Sequence, residues 1–246
     1  MLISAMVGID NRATMDIDTT LRNYPLNCES AEQIVRQIAD VEIDDKISFV
    51  IKKTEEIMED SEYQGVRLSL DAYLDKTRIP LKIDISTGDV ITPCEISFSY
   101  QLMFENRTIP LLAYPPETVL AEKLETILSR GEANTRLRDF YDVYILQRED
   151  FVVTPDALCH ALLATCRKRG HEDLLHTYAS ILDRVRQSDT MRTQWMKYQS
   201  DFDYAAGITW DTVLDTVETL CMKTLDDHAF GDELPQEKSQ FEMHLL

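Results

Sequence analysis

The chain has 246 residues, 44% of them hydrophobic, and its 25 Lys+Arg against 44 Asp+Glu give a formal charge of −19. That length supports one large or two small domains with a full apolar core. No apolar run approaches the ~18 residues of a membrane helix, and so acidic a chain excludes broad electrostatic capture of nucleic acid while leaving room for a metal-bridged nucleotide.

The minor residues narrow the class further. Cys28, Cys94, Cys159, Cys166 and Cys221 are odd in number and never spaced C-x-x-C. They read as reduced thiols of a cytoplasmic protein. His160, His171, His176, His228 and His244 never fall at H-x-x-x-H spacing, so no zinc site is expected. No basic segment followed by an apolar stretch opens the sequence, so no secretory leader is expected.

In chain order, residues 1–9 read as a short helix, Gly8 to Thr14 as a turn, and Met15 to Asp18 as a strand with alternating sides. Ser30-Ala31-Glu32-Gln33 has the form of a capping box opening a helix to about Val41. Strand-like runs follow at about 47–57, 63–74 and 79–86, with connections short enough for an antiparallel meander, then an irregular β segment over 91–113. At Pro115-Pro116 the composition changes. Pro116 suits the first turn of a helix ending before Gly131. Further helices are predicted at about 134–148, 155–169, 172–187, 190–202 and 209–225, and the acidic, aperiodic stretch 226–242 reads as a frayed tail. The expected fold class is α/β (α+β). A small mixed sheet with helices over residues 1–114 is followed by an all-α bundle over 115–246.

Four constellations carry candidate chemistry. Asp16 and Asp18, at i and i+2 on a strand, share one face. Paired carboxylates repel unless a cation lies between them, and hard oxygen ligands suit Mg²⁺. The competing reading is a solvated loop of an acidic protein. In Leu81-Lys82-Ile83-Asp84-Ile85 the apolar residues share one strand face and Lys82 and Asp84 the other. Asp84 could complete a carboxylate trio for in-line attack on a phosphate, against a plain polar outer face. Lys123 lies beside the apolar stripe Leu120, Leu124 and Ile127. It must therefore snorkel, pair with a core carboxylate, or meet an anion such as a nucleotide phosphate. Glu122 and Glu125 fall on the far side of that helix. Asp139 and Asp142 lie at i and i+3 on the next helix, with Arg138 able to pair with Asp142, which is also the pattern of an exposed salt-bridged face. The basic run Arg167-Lys168-Arg169 with His171 sits where a helix C-terminus favours cations in any case.

The order of these pieces is similar to one family. Arg12-x-Thr14-x-Asp16-Ile17-Asp18, Lys82-Ile83-Asp84, Glu122-Lys123-Leu124, Arg130-Gly131 and Arg138-Asp139-Phe140-Tyr141-Asp142 resemble the AbiEii toxins of type IV toxin–antitoxin and phage-abortive systems. These toxins are polymerase-β-like nucleotidyltransferases. The resemblance spans about residues 1–148 and implies a nucleotidyltransferase-like sheet. It implies Asp16, Asp18 and Asp84 as Mg²⁺ ligands, with Asp84 deprotonating the attacking hydroxyl. It implies Lys123, with Ser4, Arg12, Thr14 and Lys82, as nucleotide contacts, and Asp139 and Asp142 as the closing acidic motif. The implied substrate is an NTP, the acceptor a tRNA or other RNA, and the partner an antitoxin encoded nearby, with no membrane. One departure stands out. The family carries a Gly-Gly or Gly-Ser turn shortly before the D-x-D, and the nearest candidates, Ser4 and Gly8, do not form it. The resemblance thus implies that Met1 is an internal methionine of a longer chain. The alternative is a degenerate, non-catalytic relative that binds nucleotide or protein. A kinase-like transferase is a third reading.

Overall fold

The computed structural model describes residues 2–14, 16–43, 46–58, 64–102, 105–148 and 153–226. The predicted acidic tail lies, from residue 227 on, outside them. The order is α1 (Leu2–Val7), β1 (Ile17–Leu21), α2 (Cys28–Ala39), β2 (Ile47–Met58), β3 (Gln64–Leu74), β4 (Thr77–Thr87), β5 (Ile96–Gln101), β6 (Thr108–Ala113), α3 (Pro116–Arg130), α4 (Leu137–Leu146), α5 (Pro155–Lys168), α6 (Leu174–Gln187), α7 (Asp189–Asp201) and α8 (Trp210–Leu225). This is the mixed α/β class expected, with the helices concentrated after residue 115.

The four-stranded sheet runs β1-β4-β3-β2. The β2-β3-β4 meander is antiparallel as predicted, whereas β1 joins β4 in parallel. Alternation sorts its two faces. Val66, Leu68, Leu70 and Ile85 are buried against Ala31 and Val35 of α2, with Leu21, Ile51, Leu81 and Ile83 at the margin. Arg67, Ser69, Lys82 and Asp84 therefore occupy the opposite face. The 91–113 segment forms a separate hairpin, β5-β6.

Two local starts differ from the sequence reading. The capping box of α2 is built by Asn27 and Ser30, not opened by Ser30. Asn27 Oδ1 accepts from the Ser30 N–H at 2.8 Å, and Ser30 Oγ accepts from the Asn27 N–H at 3.0 Å. A Ser at the third helical position serves in place of the usual Glu or Gln, so the helix begins earlier. Strand β1 begins at Ile17, so Asp16 lies just before it rather than inside it.

A second, larger core joins α3 through α8 and also takes Ile3 and Val7 of α1. Helix α3 is buried on nearly every side from Thr118 to Leu128, as a central helix must be. Two of the five thiols, Cys166 and Cys221, are buried in this core. Burial pushes both up from 9.0 to about 12, and the Tyr141 phenol from 10.0 to about 12. The folded state thus holds these protons more tightly than the unfolded chain. Their contribution is complete below the unfolded values and is lost as pH rises through the folded ones. The expected outcome is a melting temperature that is flat to about pH 9 and declines from there to about pH 12. Under native conditions a thiol reagent should modify Cys94 and Cys28, which are exposed and half-buried, and reach Cys159, Cys166 and Cys221 only on unfolding.

Candidate functional site

The parallel pairing of β1 with β4 sets Asp18 opposite Asp84. Neighbouring strands lie about 4.8 Å apart, so the two residues are neighbours on one face of the sheet. Asp16 lies just before β1, outside this register, and its charge acts on Arg67. Asp18 is exposed, while Asp16 and Asp84 are half-buried. In the next rung Arg67 of β3 is in register with Asp84. Its Nε donates to Asp84 Oδ1 at 2.7 Å and its Nη2 to Oδ2 at 2.6 Å. The hydrogen bonds to Asp84 hold Arg67 charged above its ordinary value, against the opposing effect of burial, and the nearby charges of Asp84, Asp16 and Glu55 add to this.

Lys82 lies on the same face, exposed, and makes no ion pair among the described residues. Further along, the Asp89 carboxylate accepts from Thr20 at 2.6 Å and from Tyr114 at 2.9 Å, and Ser86 also donates to it. Thr20, Ser86 and Tyr114 share further contacts. Burial and the Asp89 charge keep the Tyr114 phenol protonated well above its usual range. This cluster ties the end of the sheet to the residues that enter α3, and sequence reading passed over it.

The remaining acidic candidates form a buried charge cluster. Asp142, at 0% exposure, accepts from Arg12 Nε at 2.9 Å and Nη2 at 3.1 Å. Lys123 Nζ lies 2.6 Å from Asp139 Oδ1 and 3.4 Å from Asp142 Oδ2, with 24% of its side chain exposed. Arg136 approaches Asp139 from the rim at 3.9 Å. Burial lowers the lysine's proton affinity, but Asp139 and Asp142 outweigh it, so Lys123 titrates above its usual value. Arg12 is likewise raised, burial opposing and Asp142 prevailing.

These pairs correct several sequence expectations. Asp142 pairs with Arg12, not with Arg138, which lies 5.5 Å over the Phe202 ring. Asp139 and Asp142 are buried rather than part of an exposed face, because Tyr141 and Phe140 draw that helix into the aromatic core of α7 and α8. Glu125, expected on a solvated side, is buried and bound by Arg169 and by His171 Nδ1 at 2.6 Å. Arg167, Arg169 and His171 of the 167–171 run are thus in ion pairs, Arg167 with Glu172.

The turn between α1 and β1 leads from the buried cluster to Asp16. Gly8 takes φ +87°, a conformation open to glycine, and its carbonyl accepts from the Asn11 and Arg12 N–H groups at 3.1 Å each. The Asn11 side chain caps the Val7 carbonyl at 2.7 Å. Tyr141 Oη donates to the Asn11 carbonyl at 2.6 Å. With the Arg12–Asp142 fork, α4 thus holds the turn at two points. Four residues of chain then lead from Arg12 to Asp16, a span of at most ~14 Å.

The remaining nucleotide candidates fare differently. Thr14 Oγ1 donates to the Asp16 carbonyl at 3.3 Å, a local bond that shapes the approach to β1. Arg12 is committed to Asp142 and to the Ala13 carbonyl at 2.8 Å. Ser4 is 7% exposed, faces the helical core beside Ile3 and Val7, and has an unpartnered hydroxyl. It therefore presents no surface to a ligand, because the apolar face of α1 turns it inward. A shallow groove lined by Gln147, Thr212, Asp215 and Lys223 lies on α4 and α8, away from all of these residues.

A hard divalent cation fits the donor chemistry of Asp16, Asp18 and Asp84 and the register of Asp18 with Asp84. As the side chains stand, Asp84 is taken by Arg67, and among the described residues no three His, Cys, Asp or Glu groups converge on one point. No helix among those residues is long and apolar enough to cross a membrane.

A family model described as "Nucleotidyl transferase AbiEii toxin, Type IV TA system" matches residues 1–216. Two solved structures from Helicobacter pylori are similar in outline. One is provisionally named a nucleotidyltransferase, with 13% identity, a TM-score of 0.37, and 92% of this chain and 95% of that one covered. The other is JHP933, with 12% identity, a TM-score of 0.37, and 92% of each chain covered. No curated protein matches the chain.

Proposed function

Because this chain belongs to the AbiEii family of nucleotidyl transferase toxins of type IV toxin–antitoxin systems, we propose that it moves a nucleoside monophosphate from an NTP to an acceptor hydroxyl. The observation that carries this reading is the pairing of Asp18 with Asp84 on adjacent parallel strands, with Asp16 just before β1 and its charge acting on Arg67. Neighbouring carboxylates on one open face are poor for stability and well suited to binding cations.

In this reading Asp16 and Asp18 would hold Mg²⁺ with the triphosphate, and Asp84 would hold a second ion. The metal, when bound, offsets charge on the phosphate oxygens and the leaving group. Asp84 accepts the proton of the acceptor hydroxyl. The new bond forms between that oxygen and the α-phosphorus, the α–β anhydride bond breaks, and pyrophosphate leaves. Lys123 is the cation of the buried cluster with side-chain surface to offer, so it is the one assigned to the nucleotide, and Asp139 fixes its direction. Asp142 and Arg12 are positioning residues that hold the turn leading to Asp16. A tRNA or other RNA is the acceptor expected, an antitoxin the regulatory partner, and the cytoplasm, where NTPs are made, the location.

The test uses each α-phosphate-labelled NTP with Mg²⁺ and bulk tRNA. Label on RNA with release of pyrophosphate is the expected result. A nucleoside diphosphate as product would instead mark a kinase, and no transfer with any nucleotide would leave the binding-module alternative.

A further inference from the structure

The face that carries Asp18 and Asp84 also carries a cation that the proposed reaction leaves without a role. Arg67 lies in register with Asp84 on one side and Glu55 on the other. It engages Asp84 fork to fork, at 2.7 and 2.6 Å, so both carboxylate oxygens are taken. These are the oxygens a hard cation would use. A bidentate guanidinium–carboxylate pair is among the stronger polar contacts in proteins. The pair is nonetheless open to water, with 37% of the Arg67 side chain and 19% of the Asp84 side chain exposed. It can be displaced without opening a core. In this it differs from Asp142, whose carboxylate is wholly enclosed.

We propose that Arg67 is a built-in counter-ion that occupies Asp84 in the metal-free chain and competes with a divalent cation for it. This rests on reading Asp16, Asp18 and Asp84 as the metal ligands. Like charges on one face are tolerable only with a cation among them, and Arg67 supplies that cation from the neighbouring strand. The displaced guanidinium stays rooted on β3 beside the acids, where an arriving phosphate is the matching partner for its fork. Metal and nucleotide binding are then coupled through Arg67. Each frees or occupies what the other needs, and the coupling is reciprocal.

The test is Mn²⁺ affinity without nucleotide, read from the paramagnetic resonance signal of free Mn²⁺ as each protein is titrated. Arg67→Gln should bind Mn²⁺ at least about tenfold more tightly than the wild type, or about 1.4 kcal/mol. Arg67→Lys, which keeps the charge and loses the fork, should fall between. The gain should vanish in the Arg67→Gln/Asp84→Asn double variant. Equal or weaker binding by Arg67→Gln, or a gain that survives loss of Asp84, overturns the proposal. Arg67→Ala and Arg67→Met remove the charge in two further ways, and circular dichroism reports which variants fold. If none of the three folds, Arg67 is a structural residue and the proposal falls. The underlying metal reading fails separately, if Mn²⁺ binding is unmoved by both Asp16→Asn and Asp18→Asn.

Discussion

Asp142→Ala should lower the melting temperature by about 6–20 °C. The carboxylate is wholly buried and faces two cations, bidentate to Arg12 and 3.4 Å from Lys123. With Asp139 the cluster is two positive and two negative charges, and the rim contact of Arg136 is long. Removing Asp142 leaves Arg12 enclosed without its anion. Breaking one partner of a buried pair costs about 3–5 kcal/mol, because the survivor is a desolvated, uncompensated charge. At about 2–4 °C per kcal/mol for a chain of this size, the range above follows. The pH dependence has a defined sign. Lys123 and Arg12 titrate above their ordinary values, so their share of the stability is complete at neutral pH. It is lost only as pH climbs from the lysine's ordinary 10.5 through its raised folded value. The deficit of the variant should therefore be constant from about pH 6 to 9. A fall of less than about 2 °C, or a deficit that disappears within that window, would show that the cluster does not anchor the turn.

The faces of the sheet were legible because strand alternation is local. Leu81-Lys82-Ile83-Asp84-Ile85 states which residues point away from α2, and the structure agrees. Arg67 went unremarked in the sequence, because only the register of β3 with β4 sets it against Asp84. What alternation cannot supply is the partner of a strand far away in the chain. The parallel junction of β1 with β4 joins strands far apart in the chain, and without it Asp18 has no relation to Asp84. Burial of the second acidic motif was hidden for a related reason. Asp139 and Asp142 have the spacing of a surface salt-bridged face, and only the aromatic packing of Phe140 and Tyr141 against α7 and α8 turns them inward. The tension around Lys123 was visible in its place beside an apolar stripe. Of the resolutions open to it, the structure selects a core carboxylate, Asp139. The burial of Glu125 was hidden because its partners Arg169 and His171 arrive from the end of α5 and the turn beyond it.

Asp18→Asn should reduce nucleotide transfer by more than about 100-fold while leaving the fold intact. A partner outside the ligand shell typically costs 10–100-fold when removed, and a direct metal ligand should cost more. Asp18 is well placed to separate chemistry from stability. It is exposed on β1 and has no hydrogen bond or ion pair among the described residues. Replacing it removes no contact and relieves repulsion with Asp16 and Asp84. Surface changes of this kind move stability by about 0.5 kcal/mol or less, so the melting temperature should stay within about 2 °C of the wild type. Asp142→Ala is the mirror image, since it must lose stability first and activity through it. The two variants measured together decide between an enzyme and a binding module. If Asp18→Asn transferred nucleotide at the wild-type rate, the carboxylate face would not be the reacting centre, however well Asp142 held the turn beside it. If transfer collapses in Asp18→Asn at an unchanged melting temperature, the loss is chemical. The open acidic face is then where the NTP is spent, and the buried cluster is the frame that aims it.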